Sequence, residues 1–326
     1  DAEAQFPFRD HEYLFNQMHG VQSGIPAFLV NQHKVSSLSD AEAYVSRLNG
    51  IPEYLGQNVA NSREAAAKGI MPPRFVYDYV ISDSRSIITG YPFTSDVADG
   101  TADSPLMKDF RGKVSALVAD STIAQAEADT LLADAATALV EKVGPAYEAA
   151  IVEMQAQAEV ATTDDGVWKL PDADAYYAMR LKHITTTDMS ADEIHNLGLA
   201  EVARIQDEMR GIMAKVGFKG TLKEFFEFMR TDPQFFKPNT AEGKAEYLAE
   251  ATAAIDQMRD DLPKVFKTFP KAELIVKAVE PFREKSAGKA FYSRPAPDGS
   301  RPGTYYANLY RMQDMPTYQM QALAFH

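Results

Sequence analysis

Apolar residues recur at three- and four-residue steps through most of this 326-residue chain. That spacing lays one face of an α-helix against a core. The clearest case follows Ser190: Ile194, Leu197, Val202, Ile205, Met209, Ile212 and Val216 keep the step, and Gly217 stops the run. A longer helical region is predicted from about Ser121 to Val160, with Leu131, Leu132, Ala135, Leu139, Val143, Tyr147, Ile151 and Met154 on one side. Gly144-Pro145 should kink or break it, because proline has no N–H to donate and crowds the preceding turn. Pro72-Pro73 suits the first turn of a helix through Val76, Tyr79, Val80 and Ile87. Ser39 with Glu42, Ser190 with Glu193 and Thr221 with Glu224 each carry the S/T-x-x-E pattern, in which hydroxyl and carboxylate satisfy free N–H groups at a helix start.

The pattern changes after Pro270. Leu274 to Val279 is short and β-branched, and Lys289 to Ser293 and Thr304 to Leu309 are also strand-like. Pro297-Asp298-Gly299 supplies turn chemistry between the last two. The expected fold is mainly α, a multi-helix assembly with one small antiparallel sheet over about 272 to 310, near the C-terminal end. Asp164-Asp165-Gly166 reads as the loop dividing the chain into an N-terminal helical lobe, 1–163, and a second region, 164–326.

Composition removes several function classes. Lys plus Arg is 33 against Asp plus Glu at 46, a net charge of −13, with no basic cluster against that background. Nucleic-acid binding, which needs several neutralising phosphate contacts, is not expected, nor is a polybasic membrane anchor. Cysteine is absent, which excludes disulfides, thiolate metal sites and a cysteine nucleophile but leaves the compartment open. No apolar run is long enough for a transmembrane helix. The chain starts at Asp1 without Met, which suggests that something upstream was removed. There is no G-x-S-x-G and no P-loop to support a serine hydrolase or a nucleotide hydrolase.

The histidines form no ligand pattern on their own. His183 and His195 lack the i, i+4 spacing that aligns two imidazoles, and a buried hydrogen-bonding role, bracing the Thr185-Thr186-Thr187 turn, is the favoured reading. His11, His19 and His33 read as structural or surface residues. Phe225, Phe226, Phe228, Phe235 and Phe236 read as core packing.

Two blocks point further. One is Asp298-Gly299-Ser300-Arg301-Pro302-Gly303-Thr304-Tyr305-Tyr306-Ala307-Asn308, followed by a helix led by Pro316 that reaches His326. The other runs from Tyr176-Tyr177 through His183-Ile184-Thr185-Thr186-Thr187 to Glu193-Ile194-His195-Asn196-Leu197-Gly198. In this order they resemble the bacterial domain-of-unknown-function 885 family, whose members look like zinc metallopeptidases of the helical Taq-type carboxypeptidase kind. The resemblance is good over the second half and looser over the first. In that family the Pro-led helix enters a His-Glu-Ala-x-Pro-Gly-His-His zinc motif, and His326 falls on its first histidine. The resemblance therefore implies the N-terminal part of a zinc-dependent peptidase, cut at its first metal ligand. Zinc would belong to the complete protein and be absent from or weakly held by this chain. On its own the chain should be inactive, because catalytic zinc normally takes three protein ligands and the general-base glutamate would follow His326.

The implied substrate is a peptide or peptide-like amide, laid as an added strand along an edge formed by residues 303 to 308. Gly303 would permit close approach, Tyr305 and Tyr306 would face opposite sides, Asn308 would offer donor and acceptor, and Arg301 would take a carboxylate. The same stretch also reads as a structural hairpin with half-buried tyrosines, and His326 alone as the end of a chain. Implied partners are the C-terminal remainder of the same protein or a second copy, and the implied location is periplasmic or lipoprotein-anchored. The rival reading is a non-catalytic helical binding or scaffold protein that keeps the family fold.

Overall fold

The computed structural model describes residues 2–94 and 103–326; Asp1 lies outside them. The chain divides into two compact units, Asp1–Tyr177 and Ala178–His326.

The first unit is helical. It contains α1 (Ala2–Gln5), α2 (Val21–Asn31), α3 (Leu38–Ala67), α4 (Arg74–Ile87), α5 (Pro105–Ala119), α6 (Gln125–Ala138) and α7 (Gly144–Val160), and α8 (Ala173–Thr185) begins in it. α3 packs along α6 and α7, α4 packs on α7, and α2 reaches α3, α4 and α5. The shared core includes Tyr44, Leu48, Tyr77, Val80, Phe110, Val114, Tyr147 and Met154, all buried. Several polar groups inside it are paired, although Gln22 Oε1 and Ser104 Oγ are buried without a partner. Tyr147 donates to Gln22 O at 2.8 Å, and Tyr44 donates to Asp109, which Lys113 also reaches at 2.8 Å.

Two local expectations need correcting here. The start of α3 is capped by Ser37, whose hydroxyl accepts from Asp40 N at 3.2 Å, and not by Ser39 with Glu42. On α4 it is Tyr77 that turns inward, while Tyr79 is exposed. Before Gly144-Pro145 the regular α-helix is interrupted without the chain leaving the helix. Residues Leu139–Val143 widen into one π turn, with Gly144 N donating to Leu139 O, and α7 continues from it. The wider turn accommodates a proline that could not have made the usual bond four residues back.

The second unit holds α9 (Ala191–Lys215), α10 (Leu222–Thr231), α11 (Ala241–Asp261), the strands β1 (Leu274–Ala278), β2 (Ala290–Ser293) and β3 (Gly303–Ala307), and α12 (Thr317–Phe325). The capping boxes at Ser190–Glu193 and Thr221–Glu224 form as the sequence suggests, and Gly217, at φ 73°, follows the end of α9. The strand order is β1-β3-β2. β2 and β3 are antiparallel, pairing Tyr292 with Tyr305, whereas β1 and β3 are parallel, pairing Val276 with Tyr305. The fold is thus mainly α with one small sheet near the C-terminal end, but that sheet is mixed and not wholly antiparallel. The cause is chain order: β2 and β3 form the hairpin, and β3 then enters between β2 and the earlier β1. α11 and α12 pack beside it over a core that includes Tyr247, Ile255, Tyr305, Leu309, Met312 and Met320.

Candidate functional site

The turn before β3 is built by Asp298. Its carboxylate accepts from Ser300 N at 3.0 Å and from Ser300 Oγ at 2.7 Å, and Gly299 takes φ 76°. Ala296 N donates to Arg301 O at 3.0 Å to close it. Glycine is needed at 299 because a side chain strains that backbone region.

β3 lies between two partners, so residues 303–307 offer no free edge. The expectation of an edge strand at 303 to 308 is therefore incorrect: the Gly-Thr-Tyr-Tyr-Ala sequence is buried throughout and occupies the centre of the sheet. At Gly303 a Cβ would meet the Tyr292 ring, with its hydroxyl 2.6 Å away. The close approach that Gly303 permits is used by this chain's own tyrosine. Tyr292 is on β2, an outer strand, and is 57% exposed.

Tyr305 and Tyr306 do face opposite sides, as strand alternation requires. Tyr305 enters the core with Tyr247, and neither hydroxyl has a hydrogen-bond partner there. Burial raises the pKa of both phenols, so they are neutral hydroxyls across the physiological range. Tyr306 stacks on Phe291 at 4.8 Å, and the Arg283 guanidinium lies over both rings. Arg283 is held by Glu280 at 2.6 Å. Burial, then the Glu280 charge, pushes the Tyr306 hydroxyl up to about 12.

Asn308 is committed to the chain itself. Its amide donates to Glu284 O at 2.7 Å and to Ala287 O at 2.9 Å, and its oxygen accepts from Tyr310 N at 3.1 Å. Arg301 donates to Arg294 O at 2.7 Å and is partly exposed. Beyond them, Lys289 reaches Gln319 on α12 at 2.7 Å, and Thr317 donates to Phe235 O at 3.2 Å. The run therefore fixes a turn, a central strand and the loop over residues 284–287, and leads into α12. Sequence reasoning missed Glu280, Arg283, Tyr247 and Tyr292. The opposite charges flanking Pro281-Phe282 were a signal for the first two; Tyr247 carries none, because α11 brings it in from far along the chain.

His326 is exposed, its backbone N–H donating to Ala322 O at 3.1 Å. Among the described residues no group of three His, Asp or Glu side chains is placed to hold a metal ion. The described residues do not fit a catalytic zinc site, which needs about three protein donors. The other histidines are spent or scattered. His11 is buried with Nε2 2.8 Å from Pro171 O, and His33 meets Asp40 O at 3.0 Å and the Arg47 guanidinium. His19 is exposed. His183 and His195 are also exposed, contrary to the buried role expected. The threonine turn is braced by its own hydroxyls, Thr185 to Thr187 at 3.0 Å, and by Lys182 with Asp188 at 2.8 Å.

A family model described as "Bacterial protein of unknown function (DUF885)" matches residues 1–326. The chain belongs to the DUF885 family. One solved structure similar to this DUF885 chain, at 25% identity and a TM-score of 0.84, is described as the putative lipoprotein from Colwellia psychrerythraea. The match covers 96% of this chain and 52% of that one, so the DUF885 chain spans little more than half the length of its neighbour. No curated protein matches it. No helix among the described residues is long and apolar enough to cross a membrane.

Proposed function

We propose that the chain contributes the N-terminal helical lobe and part of the cleft wall of an exported zinc-dependent peptidase acting on peptide or peptide-like amide bonds. The observation that carries this reading is the Asp298–Asn308 run. It resembles the metallopeptidase-like sequence, and it is built as a rigid turn-and-strand frame leading to α12 and His326. In this reading Asn308, Tyr306 and Gly303 serve by holding that frame, and Arg301, with donors left at the surface, is the group suited to a substrate carboxylate. An extended substrate would add along an outer strand, since β3 has both sides paired. The open side of β2, beside the exposed Tyr292, is suited to that. Export to the periplasm, with or without a lipid anchor, is supported by the lipoprotein description of the neighbour.

One observation favours the rival reading of a non-catalytic binding protein: Gly303, Tyr306 and Asn308 are engaged with their own chain. The experiment is a peptidase assay with added zinc or with chelator. It is run on this chain alone and on a polypeptide that joins it to the complete His-Glu-Ala-x-Pro-Gly-His-His motif. Zinc-dependent turnover only by the joined polypeptide supports the peptidase. Turnover by neither supports the binding protein, and equal turnover by this chain alone overturns both.

A further inference from the structure

α9 is amphipathic, yet its apolar side faces outward. Leu197 and Val202 are each 52% exposed, Ile212 51% and Val216 64%, while Met213 is the helix's buried residue. Val202, Ile205, Met209, Ile212 and Val216 alternate at three- and four-residue steps, the narrow seam by which one helix receives another. α10 packs on α9 and has 10 residues against 25. Phe218, just past the end of α9, meets Phe225 and Phe228 of α10.

The seam's flanks carry ion pairs made within the helix, with acidic groups in slight excess. Arg204 bonds Glu201 at 2.8 Å and Glu208 at 2.6 Å, and Arg210 bonds Asp207. Such a helix gives little electrostatic steer toward a membrane or nucleic acid, and little toward an antiparallel copy of itself. An exposed apolar stripe of this length marks an interaction surface.

The similar Colwellia chain indicates what covers it. This chain superposes almost entirely, 96% of it, on only 52% of that one. The same arrangement of helices is therefore found in a chain that carries nearly as much polypeptide again. We infer that the α9 seam is a seat for a segment of the polypeptide that the longer fold carries beyond the part this chain matches, docked as an amphipathic helix and supplied in cis or in trans. The helix would bring apolar residues at three- and four-residue steps against Val202, Ile205, Ile212 and Val216. The inference rests on the exposed seam and the lengths compared, and not on peptidase chemistry; it can hold for a protein with no activity.

The test uses this chain and, as probe, a polypeptide comprising the unmatched part of the Colwellia psychrerythraea chain. Binding is followed by sedimentation and by hydrogen exchange of the α9 amides. The expected result is a one-to-one complex that slows exchange in α9, with Val202→Glu and Ile212→Glu each weakening binding at least tenfold. Circular dichroism of the two variants should match the parent, since both side chains are exposed. An Asp207→Asn change, in a side chain 79% exposed, should leave binding unchanged. Three results would overturn the inference: no complex with the probe; a dimer of this chain sealed through α9, which assigns the seam to a second copy; or full protection of α9 in the chain alone. Loss of peptidase activity is no part of the readout, so failure here is separable from failure of the functional reading.

Discussion

α3 and α9 are both long amphipathic helices with a serine cap, and they meet opposite fates. α3 spans 30 residues and buries Ala41, Tyr44, Leu48, Ile51 and Leu55 among its neighbours. α9 spans 25 and buries Met213. Periodicity marks a face that wants cover, but it does not say whether the cover lies within the same stretch of chain. Helix formation needs only local spacing and caps, whereas burial needs partners that arrive from elsewhere.

The largest effect that would test this contrast is in the α3 core. Leu48→Ala should cost about 2–5 kcal/mol, because a fully buried leucine leaves a cavity behind it. Ile212→Ala on α9 should stay within roughly 0.5 kcal/mol. Urea denaturation of both variants decides the point, and comparable losses would mean that α9 is covered after all.

Asn308→Ala comes next. Were its amide held for a substrate, this substitution would spare stability. With its two donated bonds and one accepted bond it should instead cost about 1–3 kcal/mol. Thermal unfolding checks this, and an unchanged midpoint would return Asn308 to the list of residues free to meet a ligand.

Ser190→Ala should remove about 0.5–2 kcal/mol of local helix stability. The first turn of α9 would then exchange its amide hydrogens faster while α3 is untouched.

The smallest expected effect is with pH. Burial holds the His33 imidazole below its ordinary 6.5, with Arg47 and Lys113 nearby adding to the depression. The folded state then binds its proton less readily than the unfolded state, so stability falls as pH drops below 6.5. His33→Gln, keeping a donor for Asp40 O, should flatten that slope; an identical slope would place its origin elsewhere.

The parts of the fold legible in the sequence are those fixed by neighbours a few residues apart. The Ser190 and Thr221 boxes, the stop at Gly217 and the Asp298-Gly299 turn are all of this kind. Ser39 misled because the helix starts earlier, with Ser37 accepting from Asp40 N and Asp40 accepting from Ser36 N. The candidate site was legible as a run of residues but not as an arrangement. Whether β3 is an edge or a centre depends on β1, and whether Tyr305 has a companion depends on α11. No spacing within 298–308 contains either fact.

The central place of β3 also sets an order of assembly. β1 is complete at Ala278, yet its partner begins at Gly303, after β2 has already been made. A chain emerging from synthesis holds two unpaired strands until the third arrives, and the parallel pairing must then close over that interval. The sheet is thus all or none. A cut anywhere between Ser293 and Gly303 would separate both outer strands from the one that joins them, and the frame before α12 would be lost in a single step.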